Sequence, residues 1–394
     1  MNTVRIPEIL LPGKDTDMKK WAVNACDQFT SDEDYWKKTK ECASGGPSAF
    51  NLILPEIYLS EAEQRIEKIH STMREYLSNG VFRAVKGFVL VERITQSGTR
   101  CGIVLSIDLE DYSYEKGAKV PVRSTEATIL ERIPPRVEIR RGAPLELPHA
   151  MLLYDDNEES VLNCVKRGEV LYDFPLMCDG GRVKGTLIEN PDEVVSSLYA
   201  LTAKENFSED KFLFAVGDGN HSLAAAKACW EEIKSTVGEK ERETHPARFA
   251  LCEAVNIYSP ALKFEAIHRY VKTDAAAAFA EGLKTSGGQS AYIVVDGTEK
   301  KIPFDDNVPK GIEALDCYIS EFLKEYDGEA DYIHGSMDEM KSLTRRGGAG
   351  IILPAIKKDD FFRLISTGGN LPRKTFSMGD GNEKRYYIEA KRIK

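Results

Sequence analysis

"KFLFAVGDGNHSLAAAKACW", residues 211–230, joins an apolar run to an alanine-rich run through a loop with two glycines. The first part reads as a strand ending at Val216 and the last as a helix, since alanine is the strongest helix former. Between them lie Gly217-Asp218-Gly219-Asn220-His221, a tight connection. The pattern predicts a helix from about Ser222, with its first-turn N–H groups and positive dipole end facing the loop. Glycines at 217 and 219 let an anion approach the backbone closely, which is the physical recipe for a phosphate site. On that reading Gly217, Gly219, Asn220 and Ser222 bind phosphate or nucleotide, and His221, like Asn220, can donate to phosphate oxygens. Asp218 is the odd member, because a carboxylate beside a phosphate is repelled unless a metal ion or a hydroxyl lies between. It suits a Mg²⁺ ligand, or a base taking a proton from an attacking alcohol. The plainer reading of the same residues is an ordinary turn, with Asp and Asn as turn formers and Ser222 as the N-cap.

The rest of the chain narrows the choice. Its 394 residues are 42% hydrophobic and 29% charged, the composition of a globular protein with ample core. A net charge of −10 gives no global field to gather nucleic acid and disfavours an anionic membrane surface. The eight cysteines are spread singly, none in a C-x-x-C pair, so zinc and dithiol chemistry have little support. The start, "MNTVRIPEILLPG", lacks the pattern of a secretory signal, and no apolar run is long enough to span a bilayer. Together these imply a cytoplasmic protein with a small-molecule ligand, no nucleic-acid or membrane partner and an undetermined oligomeric state.

Along the chain, "LSEAEQRIEKIHSTMREYLSNG" predicts a helix with a Ser60/Glu63 capping box and an Ile66, Ile69, Met73, Tyr76 stripe. Ser31 is the expected cap of a shorter helix before it. "VFRAVKGFVLVERI" and "TRCGIVLSIDLEDY" predict strands meeting in a hairpin at Gln96-Ser97-Gly98, and a second hairpin is expected around "CDGG". A helix follows Asn190-Pro191. After residue 274, helices alternate with short strands. The fold class is therefore α+β, with mixed sheets, antiparallel hairpins and flanking helices. Two subdomains are expected, 1–150 and 151–394, packed as one continuous unit, with the GDGNHS strand–loop–helix in the second. A second "GDGN" at 379–382 reads as coincidence.

Three further stretches carry polar groups of the type that bind small molecules. "VRSTEATILERIPPRVEIRR" offers Glu126, Thr128 and Arg136 in the order acid, hydroxyl, guanidinium. "AIHRYV" places His268-Arg269 in an apolar strand, where neighbours face opposite sides. "LPRKTFSMG" puts Arg373, Lys374 and Thr375 behind a proline as an anion clamp. Each also reads as ordinary surface when taken alone. There is no G-x-S-x-G, no G-x-x-x-x-G-K-[ST], and no G-x-G-x-x-G opening a helix, which argues against a serine hydrolase, a Walker-type NTPase and a Rossmann dehydrogenase.

Taken in order, these stretches resemble the family known as domain of unknown function 1015. Its D-G-H-H-R-type loop is similar to Asp218-Gly219-Asn220-His221-Ser222, its H-E-x-T-type element to Thr125-Glu126-Ala127-Thr128, and its H-R strand to His268-Arg269. Its P-x-K-[ST] element resembles Pro372-Arg373-Lys374-Thr375, and its P-Y-D-type start resembles "VNACDQF", with Asp27 in the acid's place. The loop in turn resembles the phosphate loop of the ParB and sulfiredoxin-like superfamily, which includes free-serine kinases using ATP or ADP. The resemblance implies a ParB/sulfiredoxin-like core around the loop and an ATP-dependent small-molecule kinase, free serine being one substrate, with ATP or another nucleotide and Mg²⁺. Asp218, Glu126 and His221 are then catalytic, with Asp218 on the metal. Thr128, Arg136, His268, Arg269, Arg373, Lys374 and Thr375 bind substrate. Ser222 stands where the family has arginine, so a nucleotide or phosphometabolite-binding protein without catalysis is the alternative reading.

Overall fold

The apolar run of the 211–230 stretch becomes the strand Phe214–Asp218, and its first three residues are wholly buried. The computed structural model describes residues 2–29, 32–126, 133–203, 211–334 and 336–394. Phe214–Asp218 lies inside a ten-stranded mixed sheet. It pairs antiparallel with Met151–Tyr154 and parallel with Val122–Ser124. An interior strand packed on both faces needs apolar side chains at successive positions, which explains the run Phe-Ala-Val. Beyond Met151–Tyr154 come Phe249–Asn256, Gly98–Asp108, Val89–Thr95, Arg182–Ile188 and Arg167–Pro175. The last four of these form consecutive antiparallel neighbours.

Both expected hairpins are present. Val89–Thr95 turns into Gly98–Asp108 with Thr95 opposite Gly98. Arg167–Pro175 turns into Arg182–Ile188 through Cys178 and Asp179, both at positive φ. The fold is α+β, as the sequence indicated, with helices flanking mixed sheets. Local starts differ. The helix Ala62–Ser78 follows a 3-10 turn, Glu56–Glu61, and has no side-chain cap bond, so Ser60 does not cap it. Its stripe holds at Ile69, Met73 and Tyr76, which are buried. The helix Glu33–Cys42 is capped by Asp32, whose side chain accepts from Tyr35 N–H, while Ser31 lies outside the described residues.

Two compact units divide the chain. The first comprises residues 1–262 and 380–394, the second 263–379. Residue 150, where the sequence reading places a boundary, lies in the first unit directly before the strand Met151–Tyr154. The second unit has its own five-stranded antiparallel sheet, in the order Thr298–Phe304, Gln289–Val295, Ala349–Ile352, His268–Lys272, Glu329–Ile333. The strands Phe264–Ala266 and Phe376–Met378 pair antiparallel near its two ends. Those ends therefore leave the unit side by side.

In the first unit the helix Asn220–Lys234 buries Leu223, three alanines, Cys229 and Trp230. The alanines let the helix Ile133–Arg140 approach, with Ile133 and Val137 meeting Ala224, Ala225 and Cys229. Ladder partners point to one face of a sheet. Arg93 opposite Arg100, Glu253 opposite both Val104 and Met151, and Met151 opposite Asp218 thus share a face. The segment 380–394 is tied to the same unit. Tyr387 and Ala390 bridge to Val23 and Leu10, and Lys391–Arg392 pairs with Leu145–Glu146. Among the described residues no helix is long and apolar enough to cross a membrane.

Candidate functional site

The site begins with one glycine. Gly219 has φ +79°, in the left-handed region, and a Cβ there would lie 2.8 Å from the Ala150 Cα. Conformation and space both exclude a side chain. With Gly219 as its N-cap, the helix starts at Asn220, two residues earlier than the pattern predicts, so Ser222 is a first-turn residue and not the cap. Leu223 N–H donates to Gly219 O at 3.0 Å, which makes Asn220, His221 and Ser222 the first-turn residues of the helix. They lie at the positive end of a helix fifteen residues long.

Neighbouring strands fix the loop. Asn220 Oδ1 lies 2.7 Å from the Ser124 hydroxyl and 3.4 Å from Thr125 N–H. The Thr125 hydroxyl donates to Val216 O at 2.7 Å, and Ser124 also reaches Glu126 O at 2.7 Å. The Thr125-Glu126 element and the Gly217–His221 loop therefore meet, as their order in the sequence does not by itself require. Thr128 and the side chain of Asp27 lie outside the described residues.

Asp218 carries the charge of the site. Its Oδ1 accepts from Gly219 N–H at 2.8 Å, and Lys384 Nζ lies 3.5 Å from its Oδ2. Burial would push this carboxyl up, but Lys384, His149 and the Gly219 N–H outweigh it and hold Asp218 below the usual carboxylate range. It is half-buried, with 31% of the side chain exposed. His149 Nδ1 is 2.7 Å from the Tyr387 hydroxyl. Burial pushes the Tyr387 phenol up, the Asp218 charge adds to this, and Arg136 opposes it. Arg136 itself pairs with Glu56. One cluster thus gathers Asp218, Lys384, His149, Tyr387 and Arg136 beside the helix start.

Sequence reasoning missed His149, Lys384 and Tyr387. The signal for Lys384 was the second "GDGN", which ends two residues before it. Its turn is a built element: Asn24 Nδ2 donates to Gly381 O at 2.7 Å, and Arg93 reaches Asn382 O at 2.9 Å. His149 follows Pro148 in a short connection and gives no pattern to read.

The remaining candidates belong to the second unit. His268 Nδ1 accepts from Leu353 N–H at 3.1 Å. Arg269, 2% exposed, holds Asp316 with two bonds of 2.7 and 3.0 Å. It also donates to the carbonyls of Ile267, Arg373 and Lys374. Its guanidinium joins a strand, a helix and the 373–374 turn, where Lys374 has φ +55°. Thr375 donates to Pro372 O at 2.5 Å, closing that turn. The "HR" and "RKT" stretches do meet, through a buried tie.

The donor set fits Mg²⁺ held mainly by its ligand. Among the described residues no group of three or more His, Cys, Asp or Glu is placed to bind a metal ion. Mg²⁺ is commonly held by one or two carboxylates plus phosphate oxygens and water, and Asp218, at the start of the Asn220–Lys234 helix, is a single carboxylate of the kind such a site needs.

The model of the family described as "Protein of unknown function (DUF1015)" matches residues 10–390, and the chain belongs to this family. No curated protein matches it. Among solved structures it is similar to a free serine kinase variant in complex with ADP, with 12% identity, a TM-score of 0.41, and 74% of this chain and 92% of that chain covered. It is also similar to a conserved hypothetical protein from Pyrococcus furiosus, with 12% identity, a TM-score of 0.36, and 70% and 90% covered. For SbnI with C-terminal truncation from Staphylococcus aureus the values are 6%, 0.37, 70% and 82%.

Proposed function

We propose that this protein is an ATP-dependent kinase of a small alcohol, with free serine the first substrate to try, and that the Gly217–His221 loop holds the nucleotide's phosphates. The observation that carries the reading is the charge arrangement at the loop. An aspartate kept ionised sits at a helix N-terminus with an ammonium group 3.5 Å away. The N–H groups of Asn220, His221 and Ser222, together with Lys384, neutralise phosphate oxygens. Mg²⁺ would supply charge neutralisation at the phosphates, and Asp218 is the carboxylate that would hold it. Alternatively Asp218 takes the proton of the alcohol as the alcohol oxygen attacks the γ-phosphorus and the bond to the β,γ-bridging oxygen breaks, releasing ADP. Glu126 and Arg136 orient the substrate. Phosphoryl transfer asks a protein mainly for positioning and charge neutralisation, which are the two things these residues offer.

The test is a thermal-shift series with ATP, ADP, CTP and GTP, each with and without Mg²⁺, followed by detection of phosphoserine from serine and ATP. A ligand at a hundred times its dissociation constant stabilises by about 2.7 kcal/mol, a visible shift. The expected outcome is a Mg²⁺-dependent shift with one nucleotide, product formation, and loss of product in Asp218→Ala. Turnover unchanged in that variant, or no shift with any nucleotide, sinks the proposal. A second reading, ligand binding without turnover, is favoured by Ser222, an uncharged residue in the first helical turn. It predicts the nucleotide shift with no phosphorylated product.

A further inference from the structure

Behind the segment that delivers Lys384 lies a buried charged network whose members have unfilled hydrogen-bonding atoms. Arg93 and Arg100 stand directly opposite each other across two strands and are 2% and 5% exposed. Like charges so placed repel, and burial removes the water that would screen them. Glu253 offsets part of this. Its Oε2 lies 3.0 Å from Arg385 Nε and its Oε1 3.8 Å from Arg100 Nε. Arg385 also donates to Glu389 at 2.8 Å. Arg93 donates instead to the carbonyls of Gly180, Asn382 and Lys384, with its guanidinium over the Tyr386 ring. Burial and the charge of Arg100 push Arg93 down to about 10.

Three atoms remain. Arg93 Nε, Arg100 Nε and Glu253 Oε1 are buried without a hydrogen-bond partner among the described residues. Arg385 Nε shares that geometry but has Glu253 Oε2 beside it. A buried polar atom left unsatisfied carries its full desolvation penalty, so a shared partner would relieve all three at once. The same residues line a cavity of about 10 Å³, with Arg385, Tyr386 and Glu389 on its other walls. That volume is about the room one water molecule needs.

We propose that this cavity is the binding site of one structural water molecule, which accepts hydrogen bonds from Arg93 Nε and Arg100 Nε and donates to Glu253 Oε1. The guest must both accept and donate, which water does and a halide ion does not. A halide is also larger and would sit against the Glu253 carboxylate. The 3.8 Å gap between Arg100 and Glu253 is too long for a direct hydrogen bond and suits a bridge. Gly102 makes the room, since a Cβ there would lie 2.3 Å from Glu253 Oε1. The water joins sheet to segment, because Arg100 and Arg93 also hold the carbonyls of Glu383 and Lys384. None of this depends on the kinase reading.

The test is a crystal structure of the whole chain at a resolution that shows ordered water, together with one from crystals grown in bromide. The expected result is a single-oxygen peak within hydrogen-bond reach of Arg100 Nε and Glu253 Oε1, and no anomalous bromide signal in the cavity. A cavity without density, or an anomalous peak inside it, overturns the proposal.

Discussion

At the scale of the residue, Gly219 and Asp218 answer to different physics. Gly219 is constrained twice, by φ +79° and by the Ala150 Cα at 2.8 Å, whereas Gly80, at φ +66°, has nothing within 4 Å. A left-handed residue with a Cβ costs roughly 1–2 kcal/mol. Gly80→Ala should lose about that much, and Gly219→Ala clearly more, as read from denaturant midpoints. Equal losses would mean that the Ala150 contact gives way freely. For Asp218 the folded pKa is depressed, so its contribution to stability is present above the unfolded value of about 3.9 and is lost as pH falls through the folded value. Lys384→Met removes the first attraction that holds it down. The Asp218 pKa, followed by carboxyl NMR, should rise in that variant, and an unchanged titration would remove Lys384 from the site.

At the scale of the element, the strand–loop–helix at 211–230 was legible because each part carries its own signal. The strand shows as an apolar run, the helix as alanines, and the joint as glycines. The helix start was misplaced by two residues because Gly219, in the left-handed region, takes the cap position that Ser222 is chemically suited to fill. Ser60 failed as a cap for a similar reason, since a 3-10 turn precedes the helix there. Such outcomes depend on tertiary contacts, and local preference is only a weak guide to them. The "HR" strand was found, but its arginine serves packing: Arg269 ties the His268–Lys272 strand to the Val308–Glu325 helix and the 373–374 turn. Arg269→Lys keeps the charge and loses the two-pronged geometry. It should destabilise the second unit by about 2 kcal/mol, since lysine cannot satisfy both the half-buried Asp316 and the carbonyls of Ile267, Arg373 and Lys374. Urea unfolding followed by a probe in that unit checks this, and a loss under about 1 kcal/mol would place the pair among weak surface contacts.

At the scale of the whole molecule, the division was not legible, because no composition change or linker marks residues 262 and 380. Two short strands, Phe264–Ala266 and Phe376–Met378, do the work of a boundary by bringing the ends of the second unit together. That geometry predicts that replacing residues 263–379 with a short Gly/Ser linker leaves the first unit folded, with a cooperative thermal transition. A chain that stays unfolded would show that the two units need each other. His149 and Tyr387 were illegible for a related reason, and Lys384 was marked only by the repeated GDGN: the cluster is assembled from segments far apart in the chain, and only the fold gathers them. This has a consequence for how the protein is made. A ribosome releases Asp218 long before Lys384, and the entire second unit must be translated in between. A nascent chain therefore passes through a period in which the aspartate has no lysine beside it. The pair that holds the Asp218 carboxyl down is thus completed only near the end of synthesis, and a chain cut short before residue 384 keeps the aspartate without its ammonium neighbour.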